Sequence, residues 1–351
     1  MQSIVINGKL DLGLEGVPMP EPEPGQIRLR VDYVGICGSD LHYYYEGANG
    51  AFVVREPLVP GHELSGEVDL DPEGTLAPGT PVTVHPARFG TPRPHIEDDP
   101  HLWPGGSYLG SASTRPHTQG AMSEYLIVDS GMVRVLPEAL PVRRAVLAEP
   151  LAVGLHAVSR AGSVDSAEVL VSGAGPIGLL TAAAARIRGA ARVTVSDVLP
   201  EPLTRALELG ADAVIRVPEQ DVPDERFDVV FECAGAPSAI SGAVRAVRRR
   251  GTVVQIGMVP DQPRPVCLAP LVAKEAALVG AFRFHQEIDE AVRVLAEHPE
   301  LEQVITHVIP AGEAVAAFET ARDAAGSGKV VIDMHGHRRS EVGPTSPAQR
   351  V

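Results

Sequence analysis

Cysteine is scarce in this chain: three residues among 351, at positions 37, 233 and 267. Thiols so few and so far apart argue against a disulfide framework and fit a reducing compartment. Long apolar runs are missing as well. No stretch reaches the length of a bilayer span, and Met1 to Leu10 lacks the basic region followed by an apolar run that marks a secretory signal, so a cytoplasmic location is expected. Basic residues are outnumbered, 30 lysines and arginines against 45 aspartates and glutamates, for a formal charge of −15. A surface of that sign repels a phosphate backbone and an anionic lipid face, which argues against nucleic acid and membrane partners.

What is present is enough chain for two cores. Up to about Leu151 the sequence is rich in proline and glycine, with short β-type runs at 26–34, 66–68, 81–84 and 122–128. Short strands separated by turn residues predict an all-β, barrel-like domain. The stretch from Pro86 to Gly106, dense in Pro, His and Asp without periodicity, reads as a long irregular loop. From Glu168 the texture changes to apolar strands alternating with alanine-rich helices, the pattern of a doubly wound parallel sheet in an α/β fold. The expected division is residues 1–152, then 153–285, with 286–335 returning to the first domain and 336–351 forming a polar, disordered tail.

The sharpest local signal is Gly173-Ala174-Gly175-Pro176-Ile177-Gly178, directly after the apolar run Val169 to Val171 and at the start of a helical stretch. In that context Gly173 permits a tight turn, Gly175 lets the backbone approach a pyrophosphate, and Gly178 allows close packing of helix on strand. Pro176 and Ile177 open the helix whose amide donors face the phosphates. Nineteen positions after Gly178 stands Asp197, where a carboxylate binds ribose hydroxyls and repels a 2′-phosphate. Helix capping is its ordinary alternative role. No arginine follows at once, so NAD is expected over NADP.

A second constellation is scattered. Cys37 lies in Gly35-Ile36-Cys37-Gly38-Ser39-Asp40-Leu41-His42, His62 and Glu63 follow Pro60-Gly61, and Glu149 precedes Pro150-Leu151. Thiolate, imidazole and carboxylate are the donors zinc selects. Each residue taken alone also suits a buried thiol or a turn.

Taken with the glycine loop, these motifs resemble the zinc-containing medium-chain dehydrogenase/reductase family over about residues 1 to 335. Glu149-Pro150-Leu151 is similar to its sorbitol dehydrogenase branch. The runs His42-Tyr43-Tyr44, Gly110-Ser111-Ala112, Val254 to Met258 and Gly280 to Phe284 narrow the resemblance to members that oxidise sugar acids such as idonate. The resemblance implies a GroES-like β-barrel catalytic domain joined to a Rossmann domain, a homo-oligomer (tetramer or dimer), and a small polyol or sugar acid as substrate. It implies one catalytic zinc held by Cys37, His62 and Glu149, with Glu63 as an additional ligand or a water-mediated contact, and leaves open which glutamate binds directly. It also implies a proton path through Ser39 and His42, with Asp40 orienting the metal site. Many relatives carry a second, structural zinc on four cysteines in the loop that falls between Pro86 and Gly106. That loop contains none here, so no structural zinc is expected. Arg283, in an apolar run, suits hydrogen bonding to substrate hydroxyls or to an aldonate carboxylate, or else a structural ion pair; Tyr43 borders the same pocket or packs in the core.

Overall fold

The computed structural model describes residues 1–259 and 262–336. The anticipated tail, 336–351, lies outside the described residues except for Gly336.

The first domain is a seven-stranded sheet around its own apolar core. In chain order its strands are β1 (Gln26–Gly35), β2 (Glu63–Leu70), β3 (Pro81–Val84), β4 (Tyr125–Asp129) and β5 (Val133–Val135). Ile27, Leu29 and Val31 alternate inward along the first half of β1, the period-two pattern of a half-buried strand. One edge of β1 pairs with β2; the other is shared, residues 26–30 with β4 and 33–35 with a strand from the end of the chain. The helix α1 (Gly38–Glu46) starts where β1 stops, and β2 begins with Glu63, so the two motif segments leave neighbouring strands at the same end.

The second domain is a six-stranded, all-parallel sheet. Its strands are β6 (Glu168–Ser172), β7 (Arg192–Asp197), β8 (Ala213–Arg216), β9 (Phe227–Glu232), β10 (Val247–Gln255) and β11 (Ala277–Gly280), ordered β8-β7-β6-β9-β10-β11. Central strands such as β6 and β9 are buried on both faces, as their unbroken Val, Leu and Phe runs require. The order reverses between β6 and β9, and the crevice above the carboxyl ends of those strands is where such sheets bind ligands.

Two boundaries differ from the expectation. A division at 152/153 cuts a continuous helix, α2 (Ala148–Ala161), which packs against α3 (Pro176–Ile187) and α4 (Glu287–Glu297). Pro150 lies in the first turn of α2, where its missing N–H costs nothing, so it does not end the helix. The return to the first domain also begins later than residue 286. Ile288, Ala291 and Leu295 of α4 stay in the core of the nucleotide domain, and only β12 (Ile305–Pro310) and β13 (Lys329–Asp333) join the first sheet. The long loop between Pro86 and Gly106 is largely irregular and is held by packing: Trp103 Nε1 donates to the Ile96 carbonyl at 2.7 Å, and Trp103 meets Phe89 edge to face.

Candidate metal and dinucleotide site

Cys37 caps the N-terminus of α1 and its main chain is fixed by Asp40, which is fully buried. Asp40 Oδ2 accepts the Cys37 N–H at 2.9 Å and Oδ1 accepts the Gly61 N–H at 3.0 Å. One carboxylate therefore pins together the turn that carries the thiol and the turn that carries His62. Gly61 has φ +94°, and a Cβ there would meet Val34 Cγ1 at 2.7 Å, so the turn admits no larger residue without displacing the core.

Cys37, His62 and Glu63 present donor atoms that all lie within 4.8 Å of one another, the one such group among the described residues. Glu63 is fully buried; its Oε1 accepts from Lys329 Nζ at 2.7 Å, and its Oε2 has no hydrogen-bond partner. Burial alone depresses the pKa of His62, but neighbouring Cys37, Asp40 and Glu149 outweigh it and carry the imidazole up to about 10. A cluster this rich in anionic donors, with one buried carboxylate oxygen unpartnered, has the donor set and the charge deficit that a Zn²⁺ ion fills.

Glu149, in the first turn of α2, stands beside this group without belonging to it. Its Oε1 accepts the Tyr108 hydroxyl at 2.6 Å, and its pKa is raised by burial, with His62 opposing and Glu63 adding to the rise. The Tyr108 ring meets His62 edge to face at 5.3 Å and carries the Arg283 guanidinium 3.9 Å above its centre. Arg283 itself adopts φ +52°, a left-handed conformation that bulky residues avoid. Arg283, Tyr108 and Glu149 thus form a stack from the cleft to the metal group. Sequence reasoning missed Tyr108 and Lys329: no local motif marks either, and each meets its partner only through the fold.

The remaining motif residues separate. Ser39 is partly buried in the first turn of α1, while His42 is half exposed, its Nδ1 3.2 Å from Glu46. Tyr43 is buried in the first domain's core; its hydroxyl accepts the Ala112 N–H at 3.1 Å and lies 3.4 Å from Ser111 Oγ, so it is occupied internally.

In the second domain the glycine loop joins β6 to α3. Gly173 has φ +102°, and a Cβ on Gly178 would lie 1.8 Å from the Gly173 carbonyl, so Gly178 is required for helix and loop to touch. Gly175 differs: its φ is ordinary and a Cβ there meets nothing within 4 Å. The protein itself gives no steric reason for glycine at 175. Pro176 and Ile177 form the first turn of α3. Asp197 ends β7, accepting the Ala174 N–H at 2.7 Å and the Leu199 N–H at 3.0 Å, and each carboxylate oxygen keeps a lone pair for a further donor. A cavity of about 850 Å³, lined by Ser172, Gly173, Asp197, Val198, Ala234 and Ala236 among others, opens beside them.

Comparison with known proteins agrees with this geometry. Residues 23–138 match the family model described as the alcohol dehydrogenase GroES-like domain, and residues 176–297 match the zinc-binding dehydrogenase model. The chain belongs to the zinc-type medium-chain dehydrogenase/reductase family, with a GroES-like domain and a Rossmann domain. Within that family its relatives are polyol and sugar-acid dehydrogenases. It is 34% identical to human sorbitol dehydrogenase over 342 residues, 92% of this chain and 93% of that protein. It is also 34% identical to L-idonate 5-dehydrogenase (NAD(P)(+)) of Escherichia coli K12 over 304 residues, 84% and 87% of the two chains. The crystal structure of L-idonate 5-dehydrogenase from that bacterium superposes with a TM-score of 0.90 at 31% identity, covering 95% of this chain and 98% of that one. No described helix is long and apolar enough to cross a membrane.

Proposed function

We propose that the protein oxidises a secondary hydroxyl of a sugar acid, L-idonate to 5-keto-D-gluconate in the first instance, with NAD as hydride acceptor. Cys37, His62 and Glu63 would hold one zinc, and Glu149, fixed by Tyr108, would stand beside it facing the substrate. When bound, the ion supplies Lewis acidity, which makes a hydroxyl placed against it a stronger acid near neutral pH. A bound nicotinamide would supply the hydride acceptor, and the two domains would hold substrate and ring at reacting distance. Ser39 and His42 carry the released proton outward, His42 being half exposed and so able to exchange with solvent. Asp197 binds the ribose hydroxyls and favours NAD over NADP. A homo-oligomer, tetramer or dimer, is the assembly the family likeness supports.

The observation that carries the sugar-acid reading is the Arg283 guanidinium stacked on Tyr108, whose hydroxyl holds Glu149. No acidic side chain among the described residues pairs with Arg283, so with its face stacked on Tyr108 the N–H edge of the guanidinium is available to a carboxylate. Steady-state rates with L-idonate and with sorbitol test it in Arg283→Ala. Loss of at least tenfold more kcat/KM on idonate than on sorbitol supports carboxylate recognition; equal loss on both favours the second reading, a sorbitol- or xylitol-type polyol dehydrogenase, for which the 34% identity to sorbitol dehydrogenases speaks.

A further inference from the structure

Glu232 ends β9, on the far side of the switch-point crevice from β6, and is fully buried. Its carboxylate only accepts hydrogen bonds. Oε1 takes the N–H of Ala234 at 2.9 Å and of Gly235 at 3.1 Å; Oε2 takes the Gly235 N–H at 3.0 Å and the side-chain amide of Gln255. All of these donors are neutral, and no lysine, arginine or histidine among the described residues forms an ion pair with it. Burial raises its pKa, with the Gln255, Gly235 and Ala234 donors opposing; a carboxylate that takes four hydrogen bonds from three donors and offers none is shaped for the ionised form.

The backbone around Glu232 ties it to the glycine loop. Cys233 N–H donates at 2.8 Å to Ser172 O, the residue before Gly173, and the Glu232 carbonyl accepts from both Ile256 and Gly257 at 2.9 Å. A Cβ on Gly173 would lie 3.0 Å from Ala234 N. The charge therefore sits in the wall directly behind the loop. Asp197 marks β6 to β8 as the half that receives the adenosine, which leaves the β9 to β11 half for the nicotinamide nucleotide. In a buried wall an anion without a cationic partner is screened less than in water and acts on a charge that enters the groove. The oxidised nicotinamide ring carries a positive charge that the reduced ring lacks.

We propose that Glu232 is an electrostatic determinant of coenzyme oxidation state, its buried negative charge favouring the oxidised dinucleotide over the reduced one. The inference rests on the reading of the groove as a site for NAD and deepens it; it assigns a task to a residue that contacts neither metal nor substrate.

The test is calorimetric Kd measurement for NAD⁺ and NADH on chelator-treated protein, comparing wild type with Glu232→Gln, which removes the charge at constant shape, and Glu232→Asp, which keeps the charge and changes the shape. Thermal melting of each variant checks the fold. Glu232→Gln is expected to raise the Kd for NAD⁺ about tenfold and that for NADH less than about threefold, the size of effect a unit charge exerts across about 10 Å of protein. Glu232→Asp is expected to shift both affinities by the same factor. Equal weakening of the two coenzymes by Glu232→Gln overturns the proposal, as does collapse of the NAD⁺-to-NADH ratio in Glu232→Asp, which alone decides the matter where the glutamine variant does not fold. Wild-type protein that binds neither coenzyme overturns the reading of the groove itself, an outcome distinct from either.

Discussion

Lys329 Nζ lies 2.7 Å from Glu63 Oε1, joining a strand at the end of the chain to the metal group near its beginning, with both side chains almost wholly buried. The same ammonium donates to the Ile36 carbonyl at 3.0 Å, so it also fixes the residue before Cys37. Burial disfavours the charged lysine, but Glu63, Cys37 and Glu149 more than offset it and raise its pKa. The returning strand β13 is thus part of the site and not only of the sheet.

Replacing Lys329 by methionine is expected to destabilise the zinc-free protein by about 3–5 kcal/mol, the usual consequence of stripping one partner from a buried ion pair. Added zinc is expected to recover part of that loss, because a cation returns to the same anionic pocket. Urea unfolding with and without metal measures both; a change below about 1 kcal/mol in the zinc-free protein contradicts the role assigned to the pair.

The second and third glycines of the loop are expected to respond differently to the same change. Gly178→Ala forces a Cβ to within 1.8 Å of the Gly173 carbonyl, so the loop or helix must move and both melting temperature and dinucleotide binding fall. Gly175→Ala meets nothing in the protein, and is expected to melt within a degree or two of wild type yet bind NAD at least about tenfold more weakly, having lost only the space for the phosphates. Unchanged affinity in Gly175→Ala removes the argument for close approach there.

Stability is expected to decline below pH 6.5 because of His85. Its Nε2 lies 2.9 Å from the His285 carbonyl and so carries the proton, while Nδ1 accepts the Ala87 N–H at 3.2 Å. Burial lowers its pKa from 6.5 to about 4, with the His285 carbonyl opposing. Between those values the unfolded chain binds a proton that the folded one refuses, so this contribution is complete above about pH 6.5 and is lost as pH falls toward 4. Glu287 adds a second, more acidic window. Burial raises its pKa, but the His156 bond at 2.9 Å and the His285 N–H outweigh burial and bring it to about 2, so its stabilisation is complete above 4.5 and is lost as pH falls from there toward 2. Unfolding free energies from pH 8 to 4 for wild type and His85→Gln test the first window. A flatter slope in the variant between 6.5 and 4 is expected; the same slope in both assigns the acid sensitivity elsewhere.

The extent to which this was legible in the sequence follows from how local each signal is. Gly173 to Gly178 was readable because strand, turn and helix lie within one short segment, and the turn needs glycine for steric reasons visible in the text of the chain. Cys37 and His62 were readable as donor types in motif contexts, and the structure adds that Asp40 is the hinge between them. Tyr43 misled in part because its run of three tyrosines carries no sign of which ring faces the core. The expected boundary at 152/153 fell inside α2 because Pro150, in the first turn, leaves the helix intact. Tyr108, Lys329 and Glu232 had no readable signal: each acts through a partner from another element, and in the case of Lys329 that partner is 266 positions away.

The proposed site holds one ion by a single thiolate together with nitrogen and oxygen donors. X-ray absorption at the zinc edge of the purified, zinc-replete protein tests it most directly. The account predicts one sulfur scatterer at about 2.3 Å with the remaining neighbours nitrogen or oxygen near 2.0–2.2 Å, one zinc per chain, and loss of the sulfur shell in Cys37→Ser. A first shell without sulfur, or with two or more, contradicts it.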